Sequence, residues 1–300
     1  ELDLVYMVPP EFLPEVMADH LTPGKEGYSH YTLQKGPELS TEILGFNLQD
    51  PLFRNKNFRK ALAFALDRKA LVEHALNGGG YDAKGKGFIP EEQDFYPTGG
   101  VLGYAFNPDS ARYYLQKAGF ASSEEIPILT LTVSRSAGNG VETAVLIKEQ
   151  LSEGLGLEVR VDVLPFSKFL DQLVHGRISF YRIGWSAEFP NPGEFLSIFK
   201  SIGVPPEPNE LSFPNVSRYI NPEFDALYQQ AVLSNSDSMS MAYFQKAEQT
   251  LMKDCPLLVL WYREGLQLLQ PYVRNLNINP IQYRDYRNVY FERPEVLMSR

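Results

Sequence analysis

Between residues 128 and 185 the sequence alternates strand-like and helix-like runs: "ILTLTVS", "VETAVLIKEQLSEGLG", "LEVRVDVLP", "FSKFLDQLVHG" and "ISFYRIGW". Three strands with a helix between each pair form a βαβαβ unit. That implies a mainly parallel sheet with helical crossovers, hence an α/β fold. Sheets of this kind place ligand sites in the crevice beyond the carboxyl ends of their strands. The third strand runs directly into "GWSAEFPNP", residues 184–192. An acid flanked by two aromatics, at a strand end, is an expensive loop to leave facing water.

The flanking segments are legible in the same way. "LDLVYMV" and "EILGFNL" read as strands. In "FRKALAFALDRKALVEHAL" Phe58, Ala61, Leu62, Ala65 and Leu66 recur at helical spacing. Asp67 is placed to cap a second helical segment that turns Leu71, Ala75 and Leu76 inward. "NGGGYDAKGKGFIPEEQDFYPTGG" is rich in Gly and Pro, and reads as a long surface loop. In "NPDSARYYLQKAGF" Asn107 caps a short helix, Pro108 takes its first turn and Gly119 closes it. Helices are expected at "PEFDALYQQAVL" and "MAYFQKAEQTLMKD", followed by two strand-like runs, "LLVLWY" and "LQLL".

Composition removes several functional classes. The chain has 300 residues, long enough for about two domains. Its net charge is −9 and no run of five or more Lys/Arg occurs, so it lacks the basic footprint that nucleic-acid phosphates require. No apolar stretch reaches the roughly 18 residues of a membrane span. The opening "ELDLVYMVPP" lacks the features of a signal peptide and reads like the interior of a longer chain. Cys255, the one cysteine, lies in the apolar run "CPLLVLWY" and is expected to be a buried, inert thiol.

Catalytic signatures are weak. "SRSAGNGVET" follows a strand and opens a helix with Gly138 and Gly140 spaced as in a dinucleotide loop, and Asp162 lies near the end of the next strand. Thr143 stands where the third glycine belongs, and the turn is not tight. "GWSAE" places Ser186 like a hydrolase nucleophile, but Glu188 replaces the glycine that the sharp elbow needs. His20, His30, His74 and His175 make no metal-ligand pair. No enzyme activity, cofactor or metal is expected. What remains is recognition, served by aromatics at strand ends: Trp185, Phe189, Trp261 and Tyr262.

Five stretches, in order, resemble the family-5 solute-binding proteins of bacterial ABC transporters, the oligopeptide-, dipeptide- and nickel-binding type. They are "NFRKALAFALDRKALVEHALNGGGYDAKGKGFIP", "FNPDSARYYLQKAGF", "RIGWSAEFPNPGEFL", "YINPEFDALYQQA" and "YFQKAEQTLMKDCPLLVLWYREGLQLL". The first carries the pattern's Arg59, Ala61, Leu62, Ala65, Leu66, Asp67, Arg68, Leu71, Val72 and Pro90. The resemblance implies a two-lobed, type II periplasmic-binding-protein-like fold that closes on its ligand. It implies that residues 51–271 form a complete second lobe, while residues 1–50 and 272–300 belong to a partial first lobe. It also implies a function: a substrate-binding component that captures peptides in the interlobe cleft and delivers them to the permease subunits of an importer. Such a protein is periplasmic or a cell-surface lipoprotein.

In this family the acid after "W-x-A" commonly captures a peptide's ammonium. Here that acid is Glu188 rather than Asp, and Phe189 replaces the usual Tyr. Arg182, three before the tryptophan, matches an arginine able to meet a carboxylate. The implied ligand-binding set is therefore Arg182, Trp185, Ser186, Glu188, Phe189, Trp261 and Tyr262. Two other readings fit the same stretches: a non-peptide solute such as a nickel chelate or an oligosaccharide, and the ligand-sensing domain of a cytoplasmic transcription regulator. "LDLVYMV" and "EILGFNL" are expected to be the least protected strands, with unpaired edges.

Overall fold

The computed structural model describes residues 2–6, 8–9, 12–21, 31–77, 79–83, 85–90, 96, 100–120, 122–135, 139–281 and 283–292. Its elements run in the order β1 (Leu4–Tyr6), α1 (Leu13–Leu21), β2 (Thr32–Phe46), α2 (Pro51–Arg54), α3 (Lys56–Ala65), α4 (Arg68–Ala75), β3 (Gly80–Asp82) and α5 (Pro108–Lys117). There follow β4 (Leu129–Ser134), α6 (Gly140–Leu155), β5 (Val159–Leu164), α7 (Phe166–Val174), β6 (Phe180–Ser186), α8 (Pro192–Leu196), α9 (Pro222–Leu233), α10 (Asp237–Asp254), β7 (Leu257–Leu269), β8 (Val273–Arg274) and β9 (Tyr290–Phe291).

The helix starts obey local chemistry. Asn107, Asn191 and Asn221 each stand before a proline, and each side-chain oxygen accepts a backbone N–H of the first turn. Asparagine satisfies an orphan donor and proline supplies the helical φ at no hydrogen-bond cost. Asp67 accepts from the Ala70 amide and divides the long helical run into α3 and α4.

Seven strands form one sheet. Its main path is β1-β7-β2-β6-β4-β5, and β3 pairs with β7. The βαβαβ unit supplies β5, β4 and β6, all parallel. β6 then pairs antiparallel with β2, and β2 with β7. On one face Leu44, Phe46, Phe180 and Leu258 pack against α2–α6; on the other Ile43, Leu257 and Val259 pack against α8–α10. Burial on both faces explains why "LLVLWY" is apolar without alternation.

Three expectations need correction. "EILGFNL" is no exposed edge. It is the end of a 15-residue strand lying between β6 and β7, with Leu44 and Phe46 fully buried. "LLVLWY" and "LQLL" are not two strands but one, β7, because Arg263–Gly265 continue the pairing with β2 and β3. The Gly/Pro-rich stretch is not all surface loop: it contains β3, and Ala83, Phe88, Ile89 and Tyr96 are buried. Glu248 accepts from the Ile89 amide (2.8 Å) and the Tyr96 hydroxyl (2.7 Å), and these bonds draw the segment inward. Gly87 permits the approach, since a Cβ there would lie 2.2 Å from Glu248 Oε1. Cys255 is buried as expected, and burial pushes its thiol up to about 11.

Candidate ligand-binding surface at the carboxyl end of β6

β6 alternates between the two faces of the sheet, and its antiparallel register with β2 fixes its neighbours. Arg182 lies opposite Leu44, Gly184 opposite Glu42, Trp185 opposite Thr41 and Ser186 opposite Ser40. The strand ends where the Ala187 amide donates to the Leu39 carbonyl at 2.8 Å. Glu188, Phe189 and Pro190 then stand exposed, and Asn191 closes the loop by capping α8. The Asn191 amide donates to the Phe189 carbonyl at 2.8 Å. Two structured ends three residues apart leave this loop little freedom, so the carboxylate of Glu188 is presented from a held backbone.

Trp185 is half-buried, and its indole N–H donates to the Glu194 carbonyl at 3.2 Å. That bond ties the ring to α8. Behind it lies an apolar cavity of about 50 Å³ whose lining includes Tyr181, Ile183, Phe199, Phe213 and Val216. The Ser186 hydroxyl donates to that of Ser40 at 2.9 Å.

Arg182, Trp261 and Tyr262 sit deeper. Arg182 Nη2 lies 3.0 Å from Glu42 Oε2, and both side chains are largely buried. The guanidinium also lies 5.1 Å from the centroid of the buried Trp261 ring, a cation–π arrangement that strengthens when water is excluded. Arg182 Nε has no hydrogen-bond partner among the described residues. The Tyr262 hydroxyl donates to the Gly87 carbonyl at 2.7 Å, so its polar end faces the protein.

Glu42 is the residue that sequence reasoning missed. The signal was present: an acid at the head of the apolar run "ILGF". A buried charge needs a partner, but only the β2–β6 register names Arg182 as that partner. Gly184 gives the carboxylate its space, because a Cβ at that position would lie 2.7 Å from Glu42 Oε1.

The remaining candidates are dispersed. His74 is exposed on α4 and His175 ends α7; His20 and His30 fall outside the residues whose side chains are described, as does Gly138. Among the described residues no group of three or more His, Cys, Asp or Glu could hold a metal, and no helix is long and apolar enough to cross a membrane.

Comparison with known proteins agrees with this architecture. Residues 1–204 match the family described as "Bacterial extracellular solute-binding proteins, family 5 Middle", and the chain belongs to that family. YgiS of Escherichia coli K12, named as a probable deoxycholate-binding periplasmic protein, is 25% identical over 299 residues, covering 97% of this chain and 51% of YgiS. The periplasmic murein peptide-binding protein MppA of the same organism is 24% identical over 249 residues, covering 81% of this chain and 44% of MppA. Among solved structures, the periplasmic binding protein DppA from Helicobacter pylori in complex with peptide STSA superposes with a TM-score of 0.79 at 18% identity, covering 97% of this chain and 53% of DppA. That likeness establishes the fold, mixed α/β of the periplasmic-binding-protein type. The chain spans about half the length of the curated relatives it matches.

Proposed function

We propose that this chain is part of the substrate-binding component of an ABC importer, one that holds peptides in a cleft between two lobes and passes them to the permease. The observation that carries the reading is the exposed carboxylate of Glu188, on a short loop fixed at both ends at the carboxyl end of a sheet strand. A peptide's ammonium would pair with Glu188, while Trp185, Ser186 and Phe189 line its path and Arg182, Trp261 and Tyr262 form the wall behind. MppA, named as a murein peptide-binding protein, and DppA, solved in complex with peptide STSA, support that ligand class, and the work is binding rather than catalysis. The periplasm or the outer cell surface is the compartment that suits it.

Residues 51–271 would form one lobe, with residues 1–50 and 272–300 belonging to the other. In support, Leu33 of β2 and Leu266 and Leu268 of β7 cluster with Val5, Val8, Leu13 and Val16, and Leu269 clusters with Leu4, Val273 and Leu276.

The test is calorimetry on the intact protein with a mixed peptide library. Glu188→Gln is expected to weaken binding about tenfold or more, because a charge-assisted bond is lost in a closed cleft. Unchanged affinity would remove Glu188 as the ammonium partner and favour a non-peptide solute.

A further inference from the structure

We infer that the pocket beside Trp185 is a binding site of its own, for a small neutral molecule with an apolar body and a single hydrogen-bond acceptor. The inference does not depend on the peptide reading above: of the residues assigned there to the ligand, only Trp185 lines this pocket. Tyr181, Ile183 and Trp185 alternate along β6 with Arg182 and Gly184, so the pocket lies on the face of the sheet away from the Arg182 side chain. Its floor is buried: Ile43, Tyr181, Phe199 and Leu257 are each no more than 4% exposed. Its rim is not: Leu170, Ile183, Trp185 and Val216 are half-buried, and Phe213 is 56% exposed. A closed floor under a partly exposed rim gives a molecule in solution a way in.

The lining selects the occupant. Three lining side chains carry a polar group. The Trp185 indole N–H donates to the Glu194 carbonyl at 3.2 Å, and the Ser217 hydroxyl donates to Asn215 Oδ1 at 2.9 Å. The Tyr181 hydroxyl bonds to no described residue. Its ring crosses Gly45 of β2, where a Cβ would lie 2.5 Å from the phenol oxygen. Gly45 pairs on its far side with Leu257, a lining residue, so the hydroxyl end reaches the opposite wall of the pocket. Burial pushes the Tyr181 pKa above the ordinary tyrosine value, which keeps the group a neutral donor. Buried donors without an acceptor are rare in folded proteins. Water is a poor remedy here. The space, about 50 Å³, is ample for one, but an ordered buried water needs roughly two to four polar partners, and only one polar group of the lining side chains is free. A charged ligand finds no counter-charge on the lining. A dry cavity of about 150 Å³ holds benzene, so this one suits about three to five heavy atoms. A short-chain ketone or ether fits: its carbons meet the apolar wall and its oxygen accepts from Tyr181.

The experiment titrates the intact protein, with isoleucine methyls labelled for NMR, against acetone and xenon. Both probes should shift the methyls of Ile43, Ile183 and Ile198, which line the pocket, and leave Ile147, in the core on the other face of the sheet, unmoved. Acetone should saturate in the millimolar range, as so small a ligand must. Tyr181→Phe removes only the hydroxyl; it should weaken acetone about fivefold, the worth of one hydrogen bond, and leave xenon unchanged. Val216→Phe fills the pocket from its half-buried rim and should abolish the response to both probes, which tests the site even if Tyr181→Phe does not fold. Equal acetone affinity in native protein and Tyr181→Phe overturns the role of the hydroxyl. The absence of a saturable shift at the three methyls with either probe overturns the site itself. Acetone binding that persists with a peptide held at the Glu188 loop supports a separate site; displacement of acetone by that peptide would make the pocket part of the peptide's path and overturn its independence.

Discussion

The two ends of the long strands β2 and β7 are supported differently. Where Ile43–Phe46 pairs with Leu257–Val259, both faces of the sheet are covered, by α2–α6 on one side and α8–α10 on the other. Where Thr32–Gly36 pairs with Gly265–Leu269, the cover among the described residues is two small clusters, one around Val8, Leu13 and Val16 and one around Val273 and Leu276. The boundary is marked in the hydrogen-bond ladder. Between Pro37↔Glu264 and Thr41↔Tyr262, β2 advances four residues while β7 advances two. Such an irregularity bends a strand and re-aims its groups. Here it frees Leu39, whose amide donates to the Pro280 carbonyl and whose carbonyl accepts from Ala187, each at 2.8 Å. One residue thus links the end of β6, and so the Glu188 loop, to the C-terminal segment. The lesson is that the candidate site lies at the border of the two regions, not in the middle of either.

Destabilising the doubly covered region is the strongest way to test this contrast. Phe180 is fully buried and stacks on Phe46 at 5.4 Å between ring centroids. Phe180→Ala should cost about 3–5 kcal/mol in urea denaturation. In the thin region Leu268→Ala should cost no more than about 2 kcal/mol, the low end of its class, because the small cluster around it can collapse on the gap. Equal costs would break the comparison.

Asp254, at the C-terminal end of α10, sharpens it. Its carboxylate accepts from Lys56 Nζ (3.0 Å), the Tyr219 hydroxyl (2.8 Å) and Asn221 Nδ2 (2.7 Å), joining α3 and α9. Burial alone would raise its pKa; the bonds from Lys56, Tyr219 and Asn221 outweigh that and hold it below the ordinary 3.8. A depressed folded-state pKa contributes stability that is fully present above the unfolded value and lost as pH falls through the folded one. Asp254→Asn should therefore cost about 1–3 kcal/mol at neutral pH, and the gap to the native protein should narrow below about pH 4. Thermal melts across pH 2.5–7 check both the size and the sign.

Native-state hydrogen exchange gives a smaller, local readout. The amides of Thr32–Gly36 should exchange through openings cheaper than global unfolding, whereas those of Leu44 and Phe46 should require it. The smallest stability effect is expected for Glu188→Gln, within about 0.5 kcal/mol, because the side chain is exposed. A large loss of stability in that variant would mean that the loop is structural and would separate Glu188 from ligand capture.

Much was legible from local chemistry. Asn–Pro pairs, Asp67 and Gly119 act within a few residues of themselves, and the helices they bound appear where the sequence placed them. The βαβαβ order was readable because period two and period 3.6 are properties of a single segment. So was the loop "GWSAEFPNP", since its position follows from the strand before it. Other features needed partners distant in the chain. "EILGFNL" looked like an edge because nothing in seven residues reveals that β6 and β7 flank it. The Gly/Pro-rich stretch looked solvated because its anchor, Glu248, lies on α10. Arg182 was picked out as a ligand contact by the family resemblance and Trp261 as an aromatic at a strand end. Only the register of β2 with β6 and β7 seats Glu42 against Arg182 and Trp261 beneath it. Sequence by itself determined the βαβαβ unit, the capped helices and the loop that follows β6, through interactions that are local. The tertiary structure decided which charges meet, because pairing energy depends on the distance and burial of groups more than a hundred residues apart.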